Sequence, residues 1–331
     1  MFMSSLEHDI PVSANNMPGR DEWTLRPSQQ PYCTIQVQVR GDNGKDFTLS
    51  LLLDTACSGI LLRPEVVTKH NLRVVTSPVT MTSGGGTASS NSQVTNLASF
   101  SLKGGDDDGT SKRQFGPLPA VVQDIGALPK ALDGIIGLSF LSQFEAVEFD
   151  FVNSQVSFYE SEPPPASDTN AAWELVGQGD MYMLGSLGIY AVDTWWANQR
   201  GPVRMLVDTG AASTYWSWAA VTQDLKIPRD SSMISKLPGY MGIMGSDNMA
   251  NPLTHRIYVS SRIGLPQGPG LSLADCRLAV DIGDIPILQS LRTQGVGGIL
   301  GLDVLRRCSV VRMRCRGTKP YISLYKLKSE Q

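Results

Sequence analysis

The sequence predicts a protein of two similar β-rich lobes that share one site. The first observation is a duplicated motif, in which an apolar run ends in Asp-Thr and small residues, at 51–58 (LLLDTACS) and at 205–213 (MLVDTGAAS). The second is a later apolar, glycine-rich segment in each half, at 133–138 (DGIIGL) and 297–302 (GGILGL). The third is a Pro-rich polar stretch at 161–170 (SEPPPASDTN), which is typical of a linker. Two such units with one acid each indicate a shared site on a pseudo-twofold axis.

Length and composition agree with two domains that each have a hydrophobic core. The chain has 331 residues, of which 41% are hydrophobic. A formal net charge of −3 provides no basic field, so we expect no nucleic-acid partner. The five cysteines are scattered without a CxxC motif and the three histidines have no ligand spacing, so we expect no metal, no cofactor and no dense disulfide framework.

The N-terminal sequence lacks a basic segment followed by a long apolar one. No apolar run approaches the length of a membrane helix. We therefore expect a soluble protein with no signal peptide, no transmembrane segment and no membrane partner, and we favour an intracellular, cytoplasmic location.

The domain organisation follows from these patterns. Residues 1–30 are polar and rich in Pro, Asn and Ser, which predicts a flexible tail with one outer strand around Trp23. The predicted N-terminal lobe spans residues 31–160 and the linker residues 161–171. The C-terminal lobe spans residues 172–328.

Strict alternation of apolar and polar residues at 32–40 predicts the first half-buried strand. A turn sequence at 41–44 (GDNG) is followed by a second strand at 47–53, which leads into Asp54. The two strands therefore form a predicted hairpin that delivers the first acid.

The second half repeats this plan. Strands at 188–196 and 203–207 lead into Asp208, and Trp173 marks an outer strand like that of the first half. A short helical pattern follows each acid, at Pro64–His70 and at 218–225. Near the C-terminus, basic and apolar residues alternate over 306–316, which predicts the water-exposed face of a strand rather than a nucleic-acid patch.

A glycine-rich loop follows the helical pattern in each half. Gly84, Gly85 and Gly86 lie between strand-like flanks and predict a mobile hairpin tip. Gly239, next to Tyr240, is predicted to be the centre of the matching hairpin, because Gly85 and Gly239 each lie 31 residues after the acid of their half. We expect the two hairpins to close over substrate as flaps. The alternative for the first is a disordered connector.

The two Asp-Thr motifs predict the chemistry. Two carboxylates that meet at a dyad cannot both ionise without a large cost, so one holds a proton while the other activates a water. We predict Asp54 and Asp208 as the catalytic pair, with a water between them as the nucleophile. Thr55 and Thr209 can hydrogen-bond backbone across the twofold axis and lock the two loops together.

Small residues complete the predicted site. Ala56 and Gly210 follow the two Asp-Thr pairs at equivalent positions. Gly137 and Gly301 are expected to pack beside the acid loops, where a missing side chain permits close approach of the backbone.

The four ordered motifs resemble those of the retropepsin-like aspartic proteases. The second half, with DTGAAS and GILGLDVL, is close to the family pattern, and the first half, with DTACS and GIIGLSFL, departs further from it. The resemblance spans roughly residues 32–327 as two tandem units. It implies an all-β, bilobal acid-protease fold with a cleft between the units, endopeptidase activity on an extended polypeptide without a metal, and a monomer that forms a pseudo-dimer within one chain.

Where the family has glycine after Asp-Thr, the first half has Ala56, whose methyl group would stand at the crowded centre of the site. This departure favours an alternative interpretation, a catalytically silent relative that binds peptides or acts as a structural interaction subunit. A third interpretation is that the two units do not meet within one chain but dimerise. The separation of the two carboxylates distinguishes these interpretations.

Overall fold

Strands dominate the fold and form two groups that correspond to the two halves of the sequence. A computed structural model of the chain describes residues 22–25, 32–83, 86–103, 112–126, 128–164, 172–185, 188–196, 201–244, 250–259, 262–272, 278–317 and 319–328.

The described part of the first half contains eleven strands and two short helices. The strands are β1 (Glu22–Leu25), β2 (Thr34–Gly41), β3 (Asp46–Leu53), β4 (Ile60–Leu62), β5 (Val75–Ser83), β6 (Gly86–Lys103), β7 (Lys112–Phe115), β8 (Leu118–Val122), β9 (Gly134–Ile136), β10 (Ala146–Asp150) and β11 (Gln155–Tyr159). The helices are α1 (Pro64–His70) and α2 (Leu138–Leu141).

The described part of the second half contains twelve strands and four short helical segments. The strands are β12 (Trp173–Met183), β13 (Tyr190–Trp196), β14 (Val203–Val207), β15 (Tyr215–Trp216), β16 (Ile234–Met244), β17 (Ala250–Val259), β18 (Arg262–Gly264), β19 (Leu271–Ser272), β20 (Leu278–Ile282), β21 (Val296–Leu300), β22 (Val310–Arg314) and β23 (Tyr321–Leu327). The helical segments are a π-helical turn (Ala220–Asp224), α3 (Pro286–Leu291), a 3₁₀ turn (Arg292–Gln294) and α4 (Leu302–Leu305). None of the helices in the described ranges combines the length and apolar character needed to cross a membrane.

The two halves repeat one strand order. In the first half the order is β2-β3-β9-β4-β8-β6-β5, and in the second it is β13-β14-β21-β15-β20-β17-β16. In each half the strand that delivers the acid pairs in parallel with a short strand, which pairs antiparallel with the strand that follows the acid. The predicted all-β fold of two related units is therefore confirmed.

The alternation that predicts the first strand is seen in β2. Ile35, Val37 and Val39 are each 1% exposed and lie in the main hydrophobic core, whereas Gln36 and Arg40 are exposed. Because successive side chains of a strand point to opposite faces, one face of β2 packs on the core and the other faces water.

A six-stranded layer joins the halves. Its order is β1-β11-β10-β22-β23-β12, which places the outer strand of each half at an equivalent position. Antiparallel pairing of β10 with β22 makes the layer continuous across the two units. Apart from β1, the predicted tail lies outside the described residues, as do residues 165–171 of the predicted linker.

The seam between β10 and β22 buries an arginine. Arg312 is 3% exposed and lies opposite Glu148 in the register, where its Nε donates to the carboxylate at 2.8 Å. Its Nη1 donates to the carbonyl of Pro164 at 2.6 Å. The prediction of a water-exposed basic face is therefore wrong here, because the partner strand supplies a carboxylate and the chain at Pro164 contacts the guanidinium.

Candidate active site

Each predicted acid stands directly after a buried strand, in the same backbone setting. The amide of Asp54 donates to the carbonyl of Ile136, and the amide of Asp208 donates to the carbonyl of Leu300, both at 3.1 Å. These carbonyls belong to the short parallel neighbours β9 and β21. The strand pairing therefore fixes where each carboxylate leaves its sheet.

Two threonines tie the acid loops together across the halves. The Thr55 amide donates to Thr209 Oγ1 and the Thr209 amide donates to Thr55 Oγ1, each at 3.1 Å. Each hydroxyl also donates across the axis, from Thr55 to the Val207 carbonyl and from Thr209 to the Leu53 carbonyl, both at 2.8 Å. Both threonines are 1% exposed, so the four hydrogen bonds are shielded from water.

This network brings the two carboxyl groups within hydrogen-bonding reach of each other. Backbone amides hold both groups: Ala56 donates to Asp54 Oδ1 at 2.8 Å, and Gly210 and Ala211 donate to Asp208 Oδ1 at 2.8 and 2.9 Å. The two units thus meet within one chain.

Burial raises the pKa of both carboxyls, and the charge of Asp54 raises that of Asp208 further, well above 3.8. The backbone donors favour the charged forms but are outweighed by the loss of water. Because two adjacent, half-buried carboxylates repel each other, the pair retains one shared proton at a pH where ordinary aspartates are ionised.

Gly137 and Gly301 lie against the acid loops. A Cβ on Gly137 would stand 2.0 Å from the carbonyl oxygen of Cys57, and one on Gly301 would stand 2.3 Å from that of Ser213. Neither approach is compatible with a side chain. The close packing lets the first residue of α2, Leu138, donate to the Cys57 carbonyl at 2.8 Å.

Gly210 and Ala56 differ at the centre of the site. A Cβ on Gly210 would lie 2.6 Å from Oδ2 of Asp54, so the glycine leaves room for the acid of the opposite loop. Ala56, its counterpart, is half-buried and packs its methyl group against the main core.

Cys57 follows Ala56 in the first acid loop. Its thiol donates to the carbonyl of Gly59 at 3.4 Å, and burial together with the charge of Asp54 raises the pKa of the thiol to about 12. Cys57 is therefore a neutral side chain beside the acids. Within the described ranges, no three His, Cys, Asp or Glu side chains gather as metal ligands.

The two glycine-rich hairpins are only partly as expected. Strands β5 and β6 pair down to Ser83 and Gly86, and Gly84 and Gly85 between them lie outside the described residues. Gly86 is the first residue of β6.

The second hairpin is not centred at Gly239. Its strands pair up to Met244 and Ala250, and residues 245–249 between them lie outside the described residues. Gly239 and Tyr240 lie inside β16, where residues 237–240 stand against a single residue of β17. This bulge adds residues to β16 before the end of the paired strands, and counting from the acid could not reveal it.

One hydrogen-bonded pair beside the second acid loop was not predicted from the sequence patterns. The Thr214 hydroxyl donates to Asp303 Oδ1 at 2.6 Å and its amide donates to Oδ2 at 3.0 Å. The Gly301 amide in turn donates to the Thr214 hydroxyl at 3.1 Å. The acid is visible in the sequence GLDVL at 301–305, whose counterpart GLSFL at 137–141 has serine at the position of Asp303. The difference is seen only when the two halves are aligned.

Comparison with known proteins identifies a family for part of the first half. A family model described as aspartyl protease matches residues 35–140, which include Asp54 and Gly137. The match confirms the resemblance that the motifs predict, over the residues it covers. No curated protein matches the chain. The crystal structure of the aspartic proteinase from Irpex lacteus is 15% identical with a TM-score of 0.47, and the match covers 93% of this chain and 98% of that one.

Proposed function

We propose that this protein is an aspartic endopeptidase, which hydrolyses an extended polypeptide with a water activated between Asp54 and Asp208. The observation that supports the proposal most strongly is the pair of contacting carboxyls held by reciprocal threonine hydrogen bonds. An arrangement that serves packing alone would not place two mutually repelling acids together in a half-buried position.

The proposed reaction uses the shared proton of the pair. The ionised carboxylate takes a proton from the water as its oxygen attacks the peptide carbonyl carbon, and the protonated carboxyl gives its proton to the carbonyl oxygen. Transfer of a proton to the amide nitrogen then accompanies cleavage of the C–N bond. The pair returns to its singly protonated state.

The raised pKa values set the expected pH dependence. The pair is inactive with two protons at low pH and with none at high pH, so the rate follows a bell-shaped profile. Because the pKa values of both carboxyls are raised, the whole bell-shaped profile moves to higher pH. We therefore expect an optimum at mildly acidic pH.

Incubation of the purified chain with a diverse peptide mixture across pH tests the proposal. We expect Asp54→Asn and Asp208→Asn each to lower cleavage by at least about a thousandfold while the protein stays folded, because each removes one member of the acid–base pair but preserves its shape. Asp230→Asn, at an exposed position, is the matched control and should leave cleavage unchanged. Cleavage that survives either dyad substitution contradicts the proposal, and wild type that binds peptides without cleaving them favours the silent relative.

A further inference from the structure

Two rows of side chains at equivalent positions flank the acid loops and differ in their chemistry. Each row runs across the strand that follows the acid, its parallel neighbour, and one strand of the glycine-rich hairpin. In the first half, across β4, β8 and β6, the row is Leu61, Val121 and Val94. In the second half, across β15, β20 and β17, it is Tyr215, Asp281 and Arg256.

Two residues of the first-half row, Leu61 and Val121, belong to an apolar cluster. Leu61 is 5% exposed and packs in a small core with Val121 and Cys57 at its margin. The Cys57 thiol lies close enough to Asp54 and Asp208 for their charges to raise its pKa. Cys57 belongs to the first acid loop, so the cluster packs against that loop and this flank of the pair is apolar.

The second-half row is polar. Arg256 donates to Asp281 through two hydrogen bonds, at 2.5 and 3.1 Å, so these two side chains neutralise each other. Tyr215 is half-buried and contacts the hydroxyl of Ser213. The counterpart of Ser213 in the first half is Gly59, so neither hydroxyl has an equivalent there.

The Tyr215 phenol is a neutral hydrogen-bonding group beside the acids. Burial raises its pKa, and the nearby carboxylates, Asp208 among them, raise it further. Its hydroxyl therefore keeps its proton throughout the expected working range of pH. Ser213 lowers the pKa of Tyr215, which is the effect of a donor to the phenol oxygen, so the phenol's own proton remains for a substrate acceptor. A substrate group that accepts this proton is therefore favoured over one that cannot.

We propose that Tyr215 is a specificity-determining residue: the site accepts an aliphatic side chain on the flank of Leu61 and an uncharged hydrogen-bonding side chain on the flank of Tyr215. The neutral Asp281–Arg256 pair offers no net charge to a charged substrate side chain. This inference rests on the proposed peptidase function and names the substrate class of the same site.

Peptide libraries randomised at the two positions that flank the scissile bond test the inference. We expect wild type to favour Asn, Gln, Ser or Thr over aliphatic residues of similar size by about five- to tenfold at one position. Tyr215→Phe, which keeps the ring, should abolish that preference, and Tyr215→Leu should give an aliphatic preference at both positions. Leu61→Met is the matched control, because it should alter selection only at the other position.

The outcomes separate the two proposals. An unchanged profile in Tyr215→Phe with unchanged thermal unfolding overturns the role of Tyr215, as does wild-type selection of aliphatic or charged side chains at both positions. Ser213→Ala gives a second measurement and should reduce the polar preference at the same position. Cleavage that persists in Asp208→Asn overturns the peptidase function itself, and with it this inference.

Discussion

The acids of the two halves make the same backbone contact to the neighbouring strand, but the loops around them are fixed by different groups. In the second half the carboxylate of Asp303 holds Thr214, which holds the Gly301 amide. In the first half the equivalent positions are Ile60 and Ser139, and the Gly137 amide bonds to the Gly59 carbonyl instead. Backbone hydrogen bonds thus position both acids. The side chains make the second loop more polar than the first.

The difference shows which features a duplicated site must keep. The threonine network works only if both copies contribute, because each Thr donates to and accepts from the other half. A clamp inside one half, such as Thr214 with Asp303, can differ without disturbing its counterpart. Symmetry is therefore expected where the halves touch and can be lost elsewhere.

Removal of either threonine hydroxyl should have the largest effect. Thr55→Val and Thr209→Val each leave a buried amide and a buried carbonyl unpaired, so we expect each to lower the free energy of unfolding by about 3 kcal/mol and to reduce cleavage severely. Equal losses in the free energy of unfolding, measured with urea, would show that the two threonines contribute equally to the network.

Thr194→Val is the control for that experiment. Its hydroxyl makes two buried hydrogen bonds, to the Val203 carbonyl and from the Trp196 indole, both inside the second half. Stability should fall similarly while cleavage persists. A loss of cleavage as great as in the Thr55 variant would show that the bonds across the axis have no special role.

The two positions after Asp-Thr should respond in opposite directions. Gly210→Ala places a methyl group 2.6 Å from Asp54 Oδ2, so the acid must move and kcat should fall by about a hundredfold. Ala56→Gly removes a methyl group from the other loop and should raise kcat by up to about tenfold. Steady-state kinetics on one peptide measures both, and a fall in kcat for Ala56→Gly would show that the methyl group is needed.

The clamp in the second half should give the smallest effect. In Asp303→Asn only one oxygen remains to accept from Thr214, which presents both an amide and a hydroxyl, so we expect a loss of about 1–2 kcal/mol in the free energy of unfolding. Ser139→Ala at the equivalent position should change it by less than about 0.5 kcal/mol. Equal effects in denaturant titrations would mean that the two loops are held in the same way.

The sequence predicted the parts of this structure that are local and repeated. The strands leading to Asp54 and Asp208, the crossing threonines and the close approach at Gly137 follow from motifs that occur twice. The Thr214–Asp303 pair was missed because its members lie 89 residues apart and only one half has it.

Two predictions failed for related reasons. The alternating pattern around Arg312 shows a strand but not the strand that will lie beside it, so the half-buried carboxylate of Glu148 could not be foreseen. Counting residues from Asp208 to Gly239 assumes a regular hairpin, and the bulge in β16 breaks that assumption. The pattern of apolar and polar residues along a chain predicts where a strand lies, but it does not predict which strand will pair with it or in which register.

The pairing of β10 with β22 also determines how the site responds to dilution. Two separate subunits with one acid each would lose their dyad when their concentration fell below the dissociation constant of the dimer. Here both strands, and both threonines, belong to one chain, so each half experiences the other at a fixed effective concentration. Formation of the acid pair is thus a step of folding, and its population is set by conformational stability rather than by the amount of protein present.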